Sequence, residues 1–276
     1  MLHKLLAGIV AIAALVTGAW AAPAPMYEWV FTQQNVVGDA LRPTTGGVEG
    51  KLTNSPRLVA RPGYMDFGGT GYVLLVPAGT PVALPSRQVT AEAWVSLRNS
   101  NQWGGYIGCI QDNGTFEKGW VLGNHDDRFS FAVSTVGADD GDGLLTYLSA
   151  ERPIELSRWA HVVGTYDGAM LCVYVDGALA GSSTAQSGDI TYAPAPFVLG
   201  AYMDDNELFP MDGAMQSARV YDVALSPEQV RERYEMTKAQ FADLRLPRAP
   251  AEVPRVLIDG PWASFDNQSS ATVRWD

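Results

Sequence analysis

The sequence predicts an all-β protein, a sandwich or barrel of short strands followed by one short helix. Three observations support this class. Runs rich in Val, Tyr, Trp, Leu and Thr recur between residues 27 and 223. Clusters of Gly, Pro, Asn and Asp separate these runs, and no helical period of useful length appears among them. Many short strands with turn signals between them are typical of β-sandwiches and β-barrels.

The predicted strands follow one another as short apolar runs. They cover residues 72–76, 89–97, 106–110, 120–123, 129–134, 161–166, 171–175 and 197–199. Trp94, Trp120 and Trp159 lie inside the strand patterns, so we expect them in the core. His161 lies within a strand and has no carboxylate nearby in sequence, so we expect a packed neutral side chain.

The segment WAHVVGTYDGAMLCVYVDGALAG (159–181) predicts consecutive strands joined by tight turns. Its Asp-Gly pairs, 167–168 and 176–177, mark the turns because Asp-Gly tolerates positive φ. A two-residue turn at the first pair would place Val163 opposite Cys172. Both faces of this strand pair are mostly apolar, which is typical of a central position in a sandwich.

A helix is predicted after the strands. Ser226 can be the N-cap, with Pro227 at the first helical position and Gln229 completing a capping box. One face of this helix would carry Val230, Tyr234, Phe241 and Leu244. Residues 236–254 are predicted as the helix end and a semi-rigid linker, because LPRAPAEVP at its end holds three prolines.

The N-terminus indicates export. Lys4 precedes an apolar run, 5–20, and Ala19-Trp20-Ala21 supplies a cleavage signal. A membrane anchor is the alternative, but the run is shorter than the roughly 18 residues expected of a span. Residues 1–21 are therefore predicted as a cleaved signal peptide. No other stretch is apolar enough to span a membrane, so we expect a secreted, periplasmic or cell-surface protein.

The charge of the chain limits its partners. The formal net charge is −11 at pH 7, and basic residues form no cluster. Nucleic acid and anionic membrane surfaces are therefore not expected as partners. Acidity of this size fits a secreted protein or one that binds cations.

The motif Trp-x-His-Val-x-Gly-Thr-Tyr-Asp-Gly, followed by Tyr-Val-Asp-Gly, resembles the laminin G-like and pentraxin-like jelly rolls of the concanavalin A-like lectin/glucanase superfamily. The resemblance extends to MDFGGTGYVLLVPAG (65–79), VTAEAWVSL (89–97) and the closing segment 197–230. It implies a two-sheet antiparallel jelly-roll sandwich over residues 22–235, with a short C-terminal helix and functional loops along a rim.

Acidic loops are candidates for calcium binding, since calcium prefers six to eight oxygen ligands. They are GADDGDG (137–143), NHDD (124–127) and MDDNE (203–207), and solvated turn residues are the alternative for each. In pentraxin-like relatives the last loop supplies ligands in the order Glu-Gln-Asp. Here those positions hold Tyr202, Met203 and Asp204, so a double calcium site is not expected. Asp204, Asp205 and Asn206 are the candidates for one ion.

Aromatic residues are candidates for stacking on sugar rings, as in lectin-like sites. Trp103 and Tyr106 lie in NSNQWGGY (99–106), and Tyr202 and Phe209 flank the acidic loop. Core packing is the alternative, and Trp103 is the aromatic residue we most expect to be exposed. A lectin-like module that binds a glycan, or an adhesion domain that binds an extracellular protein, both fit these loops.

Two cysteines, Cys109 and Cys172, allow either a disulfide or two buried free thiols. A disulfide would close a loop of about 60 residues and stabilise the fold by about 4 kcal/mol.

The sequence shows no catalytic pattern that the fold or common motifs would predict. Paired carboxylates in the form Glu-x-Asp-x-x-Glu are absent, as are Gly-x-Ser-x-Gly, a P-loop and His-Glu-x-x-His. However, residues 255–276 resemble the opening strands of the fibronectin-like domain that precedes the catalytic domain of purple acid phosphatase-like metallophosphoesterases. That resemblance implies an alternative function, in which the chain is the N-terminal part of a secreted metallophosphoesterase.

Overall fold

The structure is a computed structural model that describes residues 22–113, 116–137 and 145–247. The predictions for residues 1–21 and for the fibronectin-like segment 255–276 lie outside this range, as does most of the acidic loop 137–143. The chain divides into two units, residues 1–246 and 247–276. The described residues of the first unit form the fold below.

Nineteen strands and one α-helix are present in the described residues. In chain order they are β1 (Tyr27–Val30), β2 (Val36–Val37), β3 (Ala40–Leu41), β4 (Gly50–Thr53), β5 (Arg57–Val59), β6 (Tyr64–Asp66), β7 (Tyr72–Val76), β8 (Val89–Leu97), β9 (Trp103–Asn113), β10 (Phe116–His125), β11 (Arg128–Ser134), β12 (Leu145–Ser149), β13 (Ala160–Tyr166), β14 (Leu171–Val175), β15 (Ala178–Ser183), β16 (Phe197–Leu199), β17 (Ala201–Met203), β18 (Leu208–Pro210), β19 (Gly213–Tyr221) and α1 (Pro227–Thr237). A 3-10 turn (Lys238–Gln240) follows α1.

The strands form two large antiparallel sheets. The eight-stranded sheet has the order β15-β14-β13-β8-β19-β6-β5, with β1 also paired to β19. The nine-stranded sheet has the order β12-β11-β10-β9-β16-β7-β4-β3-β2, and β17 and β18 form a separate hairpin. The predicted all-β class with two antiparallel sheets is confirmed.

The main core lies between the two sheets. Buried side chains from both sheets form one cluster, which includes Trp29, Phe131, Trp120 and Phe197. Phe197 makes edge contacts with Trp29 and Trp120, with ring centroids 5.8 and 6.0 Å apart. Such aromatic pairs bury a large apolar area and favour this tilted geometry. The core placement of Trp120 agrees with the sequence prediction.

The outer face of the eight-stranded sheet is covered by the C-terminal segment. Helix α1 begins with the predicted capping box of Ser226 and Gln229. Phe241 stacks on Trp94 at 4.0 Å and packs beside Trp159, so the segment after α1 stays on the sheet as far as Leu246. Part of the segment predicted as helix end and linker is therefore packed structure. None of the helices in the described ranges is long and apolar enough to cross a membrane.

The predicted hairpin register around Asp167 is wrong by two residues. Val163 pairs with Tyr174, and Cys172 pairs with Thr165. The loop has four residues because Asp167 Oδ1 accepts hydrogen bonds from the amides of Ala169 (2.9 Å) and Met170 (2.7 Å). A shift of two residues keeps each side chain on its predicted face.

His161 is fully buried, as expected of a packed side chain. The carboxylate missing from its neighbours in sequence comes from Glu92 on the adjacent strand β8. His161 Nε2 lies 3.1 Å from Glu92 Oε1.

The two cysteines do not form the disulfide that the sequence allowed. Both are buried free thiols. Cys109 lies on β9 in the core between the sheets, whereas Cys172 lies on β14 in the cluster beneath α1. The eight-stranded sheet therefore separates them.

Candidate functional site

The candidate site lies on the outer face of the nine-stranded sheet. Trp120 and Phe131 point into the core, so their neighbours Val121 and Ala132 point outward. These outward residues form a second apolar cluster with Tyr202, on which Trp103, Tyr147 and Phe209 pack.

The hairpin of β17 and β18 folds back over β9 to reach this face. Gly105 makes the approach possible, because a Cβ at this position would lie 2.2 Å from the carbonyl oxygen of Ala201. The amide of Gly200 donates to the carbonyl of Tyr106 at 2.9 Å. The second glycine of the sequence WGGY is thus required by a close backbone contact.

A cleft of about 520 Å³ lies between this hairpin and the end of β9. We call it the acidic cleft, and its lining residues are Trp103, Asp112, Asn113, Tyr202, Asn206 and Glu207. Trp103 is half-buried and stacks on His125, with ring centroids 4.3 Å apart and planes within 4°. The cleft therefore combines aromatic rings with amide and carboxylate groups, the mixture that small polar ligands need.

Asp112 organises the polar part of the acidic cleft. Its Oδ2 accepts hydrogen bonds from the hydroxyls of Tyr147 (2.7 Å) and Tyr202 (3.0 Å). Burial raises the pKa of each of these two tyrosines above the ordinary value, and the charge of Asp112 raises each pKa further. Both hydroxyls therefore stay protonated and act as donors.

The acidic loop 203–207 is held by its own carboxylates. Asp204 is buried, and its Oδ1 accepts from the amides of Asn206 (3.0 Å) and Glu207 (2.6 Å). Asp205 Oδ1 accepts from Gln111 (2.5 Å) and Asn113 (2.8 Å), and these bonds lower the pKa of Asp205. The two aspartates therefore close the turn and tie it to the end of β9.

This arrangement bears on the predicted calcium site of Asp204, Asp205 and Asn206. No group of three or more His, Cys, Asp or Glu side chains is arranged to hold a metal ion among the described residues. Asp204 Oδ1 accepts from two loop amides and its Oδ2 from the amide of Asp112 at 3.4 Å, so the loop does not present six to eight free oxygens to an ion. Calcium binding here stays a prediction.

Of the four aromatic residues predicted to bind a ligand, only Trp103 and Tyr202 line the acidic cleft. Trp103 and Tyr202 meet at the acidic cleft, although Tyr202 is only 2% exposed. Phe209 packs behind Tyr202 with centroids 5.9 Å apart. Tyr106 is a correction: it is fully buried and donates its hydroxyl to Asn124 Oδ1 (3.2 Å). The irregularity between Leu122 and Gly123 leaves Tyr106 unpaired on β9 and directs it into the core.

Sequence reasoning missed Asp112, Asn113 and Tyr147, and it named Glu207 only as part of the acidic loop 203–207. Tyr147 lies on β12, and strand alternation alone would place it with Leu145 on one face. Nothing local in the sequence indicates that this face meets β9 and the hairpin.

Comparisons with known proteins agree with this architecture. Domain 4 of AbnA, a GH43 extracellular arabinanase from Geobacillus stearothermophilus solved with arabinotriose, superposes with a TM-score of 0.52 at 18% identity. That match covers 75% of this chain and 97% of the domain. The sialidase of Trypanosoma rangeli, solved with sialic acid, gives a TM-score of 0.53 at 15% identity, covering 79% of this chain and 33% of the sialidase. These similarities show the fold.

Sequence similarity extends to pappalysin-1 of Mus musculus, which is 27% identical over 135 residues. The match covers 45% of this chain and only 8% of pappalysin-1. A model of the family Laminin_G_3, described as the concanavalin A-like lectin/glucanases superfamily, matches residues 67–231, more than half of the chain. The chain therefore belongs to the Laminin_G_3 family of concanavalin A-like lectin/glucanase domains.

Proposed function

We propose that the chain is an exported binding module that holds a carbohydrate in the acidic cleft without cleaving it. The observation that carries this proposal is the cleft itself, in which Trp103 lies beside polar groups from β9 and the loop 203–207. An aromatic ring can stack on the apolar face of a sugar, and amide and carboxylate groups can bond its hydroxyls.

The order around Asp112 supports a preformed site. The hydroxyls of Tyr147 and Tyr202 donate hydrogen bonds to this carboxylate, and Trp103 stacks on His125 and makes a tilted contact with Tyr147. Groups that are held before the ligand arrives lose little conformational entropy on binding. The arabinotriose bound to the similar AbnA domain is compatible with a short oligosaccharide as ligand.

Isothermal titration against a panel of neutral and charged oligosaccharides tests the proposal. We expect Trp103→Ala to weaken binding of any oligosaccharide at least about tenfold, because a stacked aromatic ring contributes roughly 1 kcal/mol or more beyond its buried area. Leu179→Ala is the matched control, since Leu179 is 57% exposed on the other sheet. A panel without any binding, or equal binding by both variants, would refute the proposal.

The role of calcium is tested in the same titrations. If Asp204, Asp205 and Asn206 hold an ion, chelation lowers both the affinity and the melting temperature, and added calcium restores them. Unchanged values in the chelator would remove calcium from the proposed function.

Export is a separate part of the proposal. It rests on the signal-like N-terminal pattern and on the similarity to part of pappalysin-1. Mass spectrometry of the protein recovered outside the expressing cell would show a mature N-terminus at Ala22, whereas an intact Met1 would contradict cleavage.

A further inference from the structure

We propose that the acidic cleft prefers a sugar bearing a protonated amine over the corresponding neutral or anionic sugar. This inference rests on the proposed function and adds the chemical class of the ligand. The negative charge of the lining, its unsatisfied hydrogen-bond acceptors and the aromatic ring of Trp103 each favour a cationic group on the ligand.

The charge of the lining is negative. Asp112 and Glu207 contribute carboxylates, and no Lys or Arg belongs to the lining among the described residues. Asp204 and Asp205 lie in the same loop as Glu207 and add two more carboxylates. A sulfated sugar or a uronic acid would enter against this charge, whereas an ammonium group would be attracted to it.

At the end of β9, the polar atoms that lack a hydrogen-bond partner among the described residues are acceptor oxygens. Both tyrosine hydroxyls bond Asp112 through Oδ2, and no described residue donates to its Oδ1. Asn113, which lines the cleft, has a buried Oδ1 without a donor among the described residues. Gln111 is only 3% exposed, and its buried Oε1 likewise accepts no hydrogen bond from a described residue. An ammonium group carries three donors and no acceptor, so it matches this surplus.

The carboxylates around the cleft repel one another electrostatically. Burial raises the pKa of Glu207, and the nearby charges of Asp204 and Asp112 raise it further. Like charges that repel in the free protein gain stability when a cation lies between them. The indole of Trp103 lines the same cleft, and an aromatic ring attracts a cation.

A metal ion is the competing cation, and the geometry favours it less. The described residues contain no group of three carboxylate, thiol or imidazole side chains suited to a metal. An aromatic ring in the lining contributes no ligand to calcium but attracts an ammonium group.

Three trisaccharides test the inference: β-linked glucosamine with free amines, the same trimer fully N-acetylated, and a trimer of uronic acid. Titrations are made at a pH at which the amines are protonated. We expect the free-amine trimer to bind at least about tenfold more tightly than the acetylated trimer, as one charge-assisted hydrogen bond allows. The uronic acid trimer should bind most weakly, and added salt should reduce the preference.

Variants link the preference to the cleft. Asp112→Asn and Glu207→Gln should remove most of the tenfold preference, because they weaken binding of the free-amine trimer more than binding of the acetylated trimer. Asn at position 112 retains an acceptor for the two tyrosine hydroxyls. Glu235→Gln is the control, because Glu235 lies on α1 and pairs with Lys238.

The outcomes separate this inference from the proposed function. Equal or tighter binding of the acetylated trimer, still lost in Trp103→Ala, would overturn the amine preference and retain carbohydrate binding. No binding of any of the three trimers or of the wider panel would overturn both. Calcium binding to the sugar-free protein that disappears in Glu207→Gln would assign the cleft to a metal ion and overturn the inference.

Discussion

Arg233 of helix α1 holds the buried carboxylate of Glu92 on strand β8. Its Nε lies 2.5 Å from Glu92 Oε2, and its Nη2 lies 3.0 Å from Oε1. Arg219, His161 and Tyr221 complete the set of donors, at 3.0, 3.1 and 3.1 Å. One carboxylate therefore connects the helix to three strands of the eight-stranded sheet, on the side opposite the acidic cleft.

Loss of this carboxylate should destabilise the fold strongly. Glu92→Gln removes the ion-pair partner of the mostly buried Arg233 and leaves Arg219 with Glu28 alone, and we expect the free energy of unfolding to fall by about 3 kcal/mol. Urea denaturation measures the change. Glu235→Gln, which removes only a surface pair with Lys238, should change stability by less than about 0.5 kcal/mol. Similar losses for both variants would contradict the role of Glu92.

The same carboxylate should make stability depend on pH in the acidic range. Burial opposes its ionisation, but Arg219, His161 and Arg233 outweigh burial and hold the pKa of Glu92 well below its usual range. A depressed folded-state pKa stabilises the protein above the unfolded pKa of about 4.3, and this contribution is lost as pH falls.

We therefore expect the melting temperature of the wild-type protein to fall progressively below about pH 5. In Glu92→Gln the decrease should be smaller, because the variant has no proton to take up at this position. Thermal denaturation between pH 7 and pH 3 makes the comparison. Parallel curves for the two proteins would refute the prediction.

Both cysteines should be unreactive in the native protein. Burial raises the pKa of Cys109 to about 12 and also raises the pKa of Cys172. Since the thiolate is the reactive form, iodoacetamide at pH 8 should label neither residue in the folded state. In denaturant without a reductant, mass spectrometry should show two labels. No labels under that condition would indicate a disulfide and contradict the free thiols.

A glycine in the core sets the distance between the two sheets. A Cβ on Gly164 of β13 would lie 2.2 Å from Cγ of Phe131 on β11. Gly164→Ala should therefore lower the free energy of unfolding by about 1–3 kcal/mol through overpacking.

The double variant with Phe131→Leu provides the control for this clash. Removing the ring makes room for the new methyl group, so the combined loss should be smaller than the sum of the two single losses. Urea denaturation of the four proteins measures the coupling. Strictly additive losses would show that Phe131 does not meet the added Cβ.

Local chemistry explains why much of the fold was predictable. Four predicted strands, β7, β8, β14 and β16, coincide residue for residue with those observed. Turn residues end each run, and the capping box of Ser226 and Gln229 marks the start of α1. The hairpin at Asp167 has a register that the local sequence did not predict. Asp-Gly predicted a turn correctly, but the side-chain bonds of Asp167 lengthened the loop and moved the register.

The candidate site depends on contacts between distant parts of the chain. Asp112 meets Tyr147, 35 residues away, and Tyr202, 90 residues away. The sequence by itself determined eight of the nineteen described strands, the start of the helix and the acidic loop, and it named Trp103 as a candidate for ligand binding. Only the tertiary structure decided that Tyr106 lies in the core while Trp103 and Tyr202 line one cleft with Asp112. The physical reason is that strand order, register and one β-bulge determine which side chains meet, and these depend on packing between sheets rather than on local preference.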